Sequence, residues 1–199
     1  MGNYNKWNRQ NSGTGELRVA LFVARNKDNS DLDGFKERRR AFVTTKTADE
    51  LADEFQTFVN AGLTGEMSRL YMSVNPRSNE KTQKVLMHYL LDNDVDMENL
   101  PPKVAAMAAQ SENRTQSHWL VDYDDDVERV DEFVDEMTAV AMKYSNKEFT
   151  VEKHKTPNGY GLVVNRGFKF DELNKDWEFG VKKDDLLCVK WSTKSTTRH

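Results

Sequence analysis

Cysteine is almost missing from this chain: Cys188 stands alone among 199 residues. A lone thiol cannot close an internal disulfide, which points to a reducing compartment such as the cytoplasm. It also excludes a zinc site built on cysteines. Cys188 lies in Leu186-Leu187-Cys188-Val189, an apolar run in which core packing is its expected role. A basic excess is missing too. The formal net charge is −4, so the chain is no bulk-basic nucleic-acid coat, and any contact with nucleic acid needs a local basic face. No stretch approaches the roughly 20 apolar residues that span a bilayer, so no membrane partner is expected. Residues 1–15 are polar, rich in Asn and Gly, and lack the apolar stretch of a signal peptide. They and residues 192–199 read as flexible tails. Walker, Rossmann and zinc-helix patterns are absent.

What the chain does have is large apolar groups in a polar background. Ten Phe, six Tyr and four Trp accompany a charged fraction of 31%. Strands and helices that share these groups can enclose one core, so residues 16–191 read as a single α+β domain. Its N-terminal α/β part covers 16–111 and its second part 118–191.

Apolar and β-rich runs predict strands at Leu17–Ala24, Arg40–Thr45 and Arg69–Asn75. Helical spacing of Leu51, Ala52, Phe55, Phe58 and Val59 predicts a helix over Ala48–Asn60, with Thr47 and Glu50 as its capping box. Further helices are predicted over Asn79–Leu91 and Lys103–Gln110. In the second part, His118–Asp122 is a strand and Val127–Lys143 a helix. Phe149–Lys153 and Tyr160–Asn165 form a hairpin about Pro157-Asn158-Gly159, and Leu186–Trp191 is the last strand. That order is β-α-β-β-α-β, the split βαβ arrangement of ferredoxin-like and RNA-recognition-motif (RRM) domains. The N-terminal part is expected to extend the same sheet.

The most informative stretch is Trp119-Leu120-Val121-Asp122-Tyr123-Asp124-Asp125-Asp126. Alternation along a strand turns Asp122 and Asp124 to one side and Tyr123 to the other. Two carboxylates about 7 Å apart along a strand can share a divalent cation, and hard oxygen ligands suit Mg²⁺ or Mn²⁺. The competing role is local: Asp125 or Asp126 capping the helix that follows, and the remaining acids solvating it. A second constellation, Arg69 to Ser78 followed by Lys81, ends a strand in Asn75-Pro76-Arg77 at the start of a helix. Helix N-termini favour anions, and Arg77 and Lys81 are candidate phosphate contacts; a solubilising surface loop is the alternative. The third is the hairpin tip, where Lys155 and Thr156 are candidates to meet phosphate beside small residues that allow close approach. Tyr71, Trp119 and Tyr123 are either core residues or stacking platforms for RNA.

The order of elements over residues 69–191 resembles the archaeo-eukaryotic primase superfamily, which includes primase-polymerases and small phage-encoded relatives. The first motif of that family, an apolar strand ending in Asp-x-Asp, is matched by Val121-Asp122-Tyr123-Asp124. The second, a histidine in a hairpin after a small polar turn, corresponds to Thr156-Pro157-Asn158-Gly159-Tyr160-Gly161, where the histidine is missing. The third, an acid beside an apolar strand, is matched by Asp184 or Asp185 before Leu186-Leu187.

The resemblance implies a metal-dependent nucleotidyl- or phosphoryl-transfer protein acting on nucleotides or nucleic acid. Asp122 and Asp124 would hold Mg²⁺ or Mn²⁺, with Asp185 as a third catalytic acid. Arg69, Asn75, Arg77, Lys81, Lys155 and Thr156 would bind nucleotide or phosphate. A degenerate second motif also fits a non-catalytic, phage-type binding protein on the same scaffold, capturing a nucleotide, a nucleic acid or a host protein in the host cytoplasm.

Overall fold

The structure, a computed structural model, describes residues 16–195. Twelve main elements follow one another within them: β1 (Arg18–Ala24), β2 (Arg38–Thr44), α1 (Ala52–Asn60), β3 (Met67–Ser73), α2 (Asn79–Asp92), α3 (Leu100–Ala108), β4 (Trp119–Tyr123), α4 (Val130–Lys143), β5 (Val151–Lys155), β6 (Tyr160–Val164), β7 (Phe179–Lys182) and β8 (Leu186–Thr193). Short 3₁₀ turns join several of them, one of which, Val127–Arg129, leads into α4. The α+β class is as expected. No helix among these residues is long and apolar enough to cross a membrane.

The strands form two antiparallel sheets, in the orders β2-β1-β3-β8 and β5-β6-β4-β7. β1 runs antiparallel to both of its neighbours, so β2 and β3 are parallel with β1 between them, and α1 makes the crossover. The second sheet repeats the device, with β4 and β5 flanking β6 and joined by α4. Each sheet therefore contains a split βαβ unit, the unit of ferredoxin-like folds.

Two expectations are corrected. The N-terminal part does not extend the sheet of the second part; it builds its own. The last strand does not complete the second sheet either. β8 pairs with β3, because Leu187 and Val189 belong to the first core. The edge beside β4 is taken instead by β7, whose four residues carry too little pattern to be read as a strand. β8 also runs on through Ser192 and Thr193, and Gly65 N–H donates to the Lys194 carbonyl at 2.9 Å. Ser192 and Thr193 are therefore strand and not tail, and Lys194 and Ser195 follow them without strand structure. The other predicted tail residues, 1–15 and 196–199, lie outside the described range.

Alternation assigns the faces. On β1, Ala20 and Phe22 turn towards α1 and meet Phe55 and Val59, with Leu70 and Met72 of β3 beside them. The Phe22 ring stands edge-on to Phe42 at 5.1 Å and to Phe55 at 5.5 Å. The capping box forms ahead of this helix: Thr47 N–H donates to Glu50 at 2.8 Å and Glu50 N–H to Thr47 Oγ1 at 3.2 Å. On the second sheet, Val121 and Tyr123 lie under α4 with Phe133, Met137 and Trp177. Tyr123 is fully buried and donates its hydroxyl to the Asp126 carbonyl, so it is no platform for a base. α2 buries only Thr82 and leaves Met87 and Leu91 in solvent.

Two contacts join the sheets. Leu120 and Val163, on the second sheet's face away from α4, enter the first core. Leu187 reaches over Gly161, where any Cβ would collide with its Cδ1 atom. Beside this seam lies a polar hub. Arg77 holds Asp184 with both guanidinium nitrogens at 2.8 and 2.9 Å. Asn75 donates to Asp184 and to the His118 carbonyl, and accepts from His118 N–H.

Candidate functional site

A cleft of about 440 Å³ opens between the sheets. Its floor is the face of the first sheet opposite α1. α3 covers one end of that face, packing Ala105 and Ala108 on Val19, Ala41, Val43 and Leu186. The other end stays open and presents Leu21, Val23, Arg39, Arg69, Tyr71 and Cys188. The facing wall comes from the second sheet: Asp122, Asp124, Lys182 and the hairpin tip with Thr156 and Asn158, completed by Asp185.

Strand geometry sets the acidic wall. Leu120, Asp122 and Asp124 share one side, and Leu120 anchors that side in the core between the sheets. Asp122 lies opposite Gly161 on β6 and Gly180 on β7, so neither neighbouring strand crowds it with a side chain. The hairpin tip presses on the end of β4, because Gly159 has no Cβ to collide with the Tyr123 carbonyl oxygen.

Lys182 ties this wall together. Its ammonium lies 2.8 Å from Asp122 Oδ2 and 3.0 Å from Asp185 Oδ2. Burial works against that charge, but the hydrogen bonds to the two carboxylates outweigh it and raise the lysine above its ordinary value. Asp122 and Asp185 thus converge on one cation. Asp124 is exposed at the rim, and its backbone N–H donates to the Glu178 carbonyl. Asp126 caps the turn at Val127 by accepting from Glu128 N–H, and Asp125 accepts from Asp126 and Glu178 N–H groups.

The opposite wall is basic. Arg25, Lys27, Arg39 and Arg69 line it with Glu37, which pairs with Arg39. Asp28 organises two of the arginines. Arg25 donates Nε at 2.9 Å and Nη2 at 3.0 Å to its two oxygens, and Arg69 donates Nη2 at 2.6 Å. One carboxylate shared by two guanidiniums leaves an excess of positive charge facing the acids. Arg69 is almost wholly buried, and its Nε makes no hydrogen bond.

Burial opposes the Asp28 charge, but the bonds from Arg25 and Arg69 win and hold its carboxyl below the ordinary 3.8. Because the folded value is depressed, its stabilisation is complete above the ordinary value and is lost as pH falls through the folded one. Asp28→Asn is therefore expected to destabilise the protein at about pH 6, with the difference from wild type shrinking at about pH 3. Urea titrations at the two pH values measure this.

Of the other predicted residues, Thr156 reaches the cleft, where its Oγ1 accepts from Gly159 N–H. Asn75 and Arg77 do not. They belong to the buried hub, because the strand end that carries them turns inwards to meet Asp184. Ser78 caps α2 as a helix start requires, but Lys81 donates to the Glu112 carbonyl, away from the cleft lining. Lys155 is exposed on β5 and is not part of the lining either. Cys188 is buried, and burial pushes its thiol up to about 12, which leaves it protonated and inert. His154, opposite Gly161 on β5, is buried, and burial lowers the half-buried His118.

No group of three or more His, Cys, Asp or Glu among the described residues is placed to cage a metal. Mg²⁺ rarely needs such a cage, since it is usually held by one or two carboxylates plus substrate phosphates. Asp122 and Asp185 meet that requirement in donor chemistry and in shared reach. No family model, curated protein or solved structure matches the chain.

Proposed function

We propose that the cleft binds a nucleotide or the end of a nucleic acid and carries out metal-dependent nucleotidyl transfer, in the manner of the primase superfamily that the sequence resembles. The observation that carries this reading is the convergence of Asp122 and Asp185 on one cation, facing the Asp28-braced arginines across a cavity of about 440 Å³. Nucleotidyl transfer needs opposed charges of this kind. Catalysis rests on positioning and charge neutralisation, with little covalent work for the protein.

In this reading Arg25, Arg39 and Arg69 hold the phosphates and Tyr71 offers a partly buried ring beside them. Asp122 and Asp185 would hold Mg²⁺ or Mn²⁺, which would neutralise phosphate charge, with Asp124 adding negative charge at the rim. A substrate hydroxyl oxygen forms a bond to the α-phosphorus as the bond to pyrophosphate breaks, and the hydroxyl proton passes to solvent. No side chain of the lining is placed as a nucleophile, since the Cys188 thiol stays protonated.

A second reading is favoured by one specific feature. Gly161, in the hairpin stretch that lacks the motif's histidine, is roofed by Leu187, which suits a cleft that binds the same ligands without turning them over. One experiment separates the two. The melting temperature is followed with a nucleoside triphosphate and Mn²⁺, alongside incorporation of labelled nucleotide on a primed template. Transfer predicts stabilisation and product in wild type and neither in Asp122→Asn/Asp124→Asn. Binding alone predicts triphosphate stabilisation without product. No stabilisation in wild type removes both.

A further inference from the structure

Lys182 has no role in the nucleotidyl-transfer reading as stated above, yet it occupies the centre of the acidic wall. Its ammonium is within hydrogen-bond distance of both Asp122 and Asp185, from which it takes one oxygen each. That is the space a divalent ion would have to enter to reach the same two carboxylates. The lysine is not locked there by packing. Its side chain is about half exposed, on the edge strand β7, and a Cβ built on neighbouring Gly180 meets nothing within 4 Å. A flexible four-carbon stem with open space beside it can swing across the cleft.

We propose that Lys182 is a resident cation that holds the metal's place between Asp122 and Asp185 in the free protein, and that it moves to the ligand's phosphate when Mg²⁺ or Mn²⁺ enters. This rests on the metal-dependent reading of the cleft and adds an order to it. Two carboxylates without a third protein ligand bind such an ion weakly, and Lys182 weakens them further by competition. The free site therefore stays neutralised and admits metal alone only at high concentration. A phosphate ligand supplies the missing oxygen ligands and gives the displaced ammonium a new partner, so metal and ligand enter together.

The test uses Mn²⁺ alone, with binding followed by the electron paramagnetic resonance signal of the free ion. Lys182→Met keeps the stem and removes the charge. It is expected to bind one Mn²⁺ at least tenfold more tightly than wild type, and adding Asp185→Asn to it should abolish the gain. A second measurement needs no variant: the rate at which an N-hydroxysuccinimide ester acetylates Lys182, read by mass spectrometry. In wild type that rate should rise severalfold when Mg²⁺ is raised to millimolar levels, and Lys183 acetylation should not change. Equal Mn²⁺ affinity in wild type and Lys182→Met, or a Lys182 rate unmoved at Mn²⁺ concentrations where the ion is bound, overturns the proposal. Neither readout needs turnover, so failure of nucleotidyl transfer is scored separately.

Discussion

Arg77→Ala is expected to cost about 3–5 kcal/mol, the range for breaking a buried ion pair by removing one partner. For a domain whose whole stability is of order 5–15 kcal/mol, that leaves little reserve. The side chains of Arg77 and Asp184 are 1% and 8% exposed, so water cannot replace the guanidinium. Loss of the arginine strands a carboxylate among Asn75 and the seam residues. Asp184→Ala should cost a similar amount from the other side. Urea titration and calorimetric melting give both values. Asp185→Ala, one residue along but in the open cleft, is the control and should cost no more than about 1 kcal/mol, the range for a solvent-accessible ion pair. An Arg77→Met/Asp184→Leu double variant should recover most of the loss, because removing both charges removes the desolvation problem. If either single variant melts with wild type, the hub does not join the sheets.

The second large effect concerns Gly161. A histidine placed there, within the stretch that lacks the motif's histidine, should not confer activity. Gly161→His should instead destabilise by about 1–3 kcal/mol through overpacking and should create no nucleotidyl transfer. Leu187 is 1% exposed over this position, with Leu120 Cδ1 3.5 Å from where a Cβ would stand. The imidazole would have to drive Leu187 out of the first core. The two sites should therefore be coupled. Leu187→Ala creates a cavity and is destabilising alone, but combined with Gly161→His the losses should add up to less than their sum. Fully additive losses would mean that the glycine is not there to admit the leucine.

These two positions also mark where local pattern stops carrying information. The strand at Arg18–Ala24 was legible as a continuous β-rich apolar run, and that at Trp119–Tyr123 as an apolar run ending in alternating acids. The capping box at Thr47 and Glu50 was legible because its chemistry is local. Pairing partners were not. Leu186–Trp191 reads as a strand whichever sheet it joins, and only the free edge of β3 decides. The Asp184-Asp185 pair makes the same point: adjacent residues on opposite sides, one buried on Arg77 and one facing Lys182, in a dipeptide that reads as a single acidic patch. For the same reason Asn75 and Arg77 read as phosphate ligands while serving as a joint. Arg25 was missed because the acids it faces across the cleft come from separate segments. Asp28 three residues after Arg25 was the one local signal, a spacing that suits a turn bracing a cation.

The placement of β8 has a consequence for how the molecule is made. During synthesis, β4 to β7 are all available before β8 leaves the ribosome, whereas β3 waits with a bare edge for the whole intervening stretch. Pairings between distant segments close last, and an unpaired strand edge invites association with other chains. A nascent protein can therefore finish its second sheet while its first remains open, and the cleft comes into being only when β8 docks.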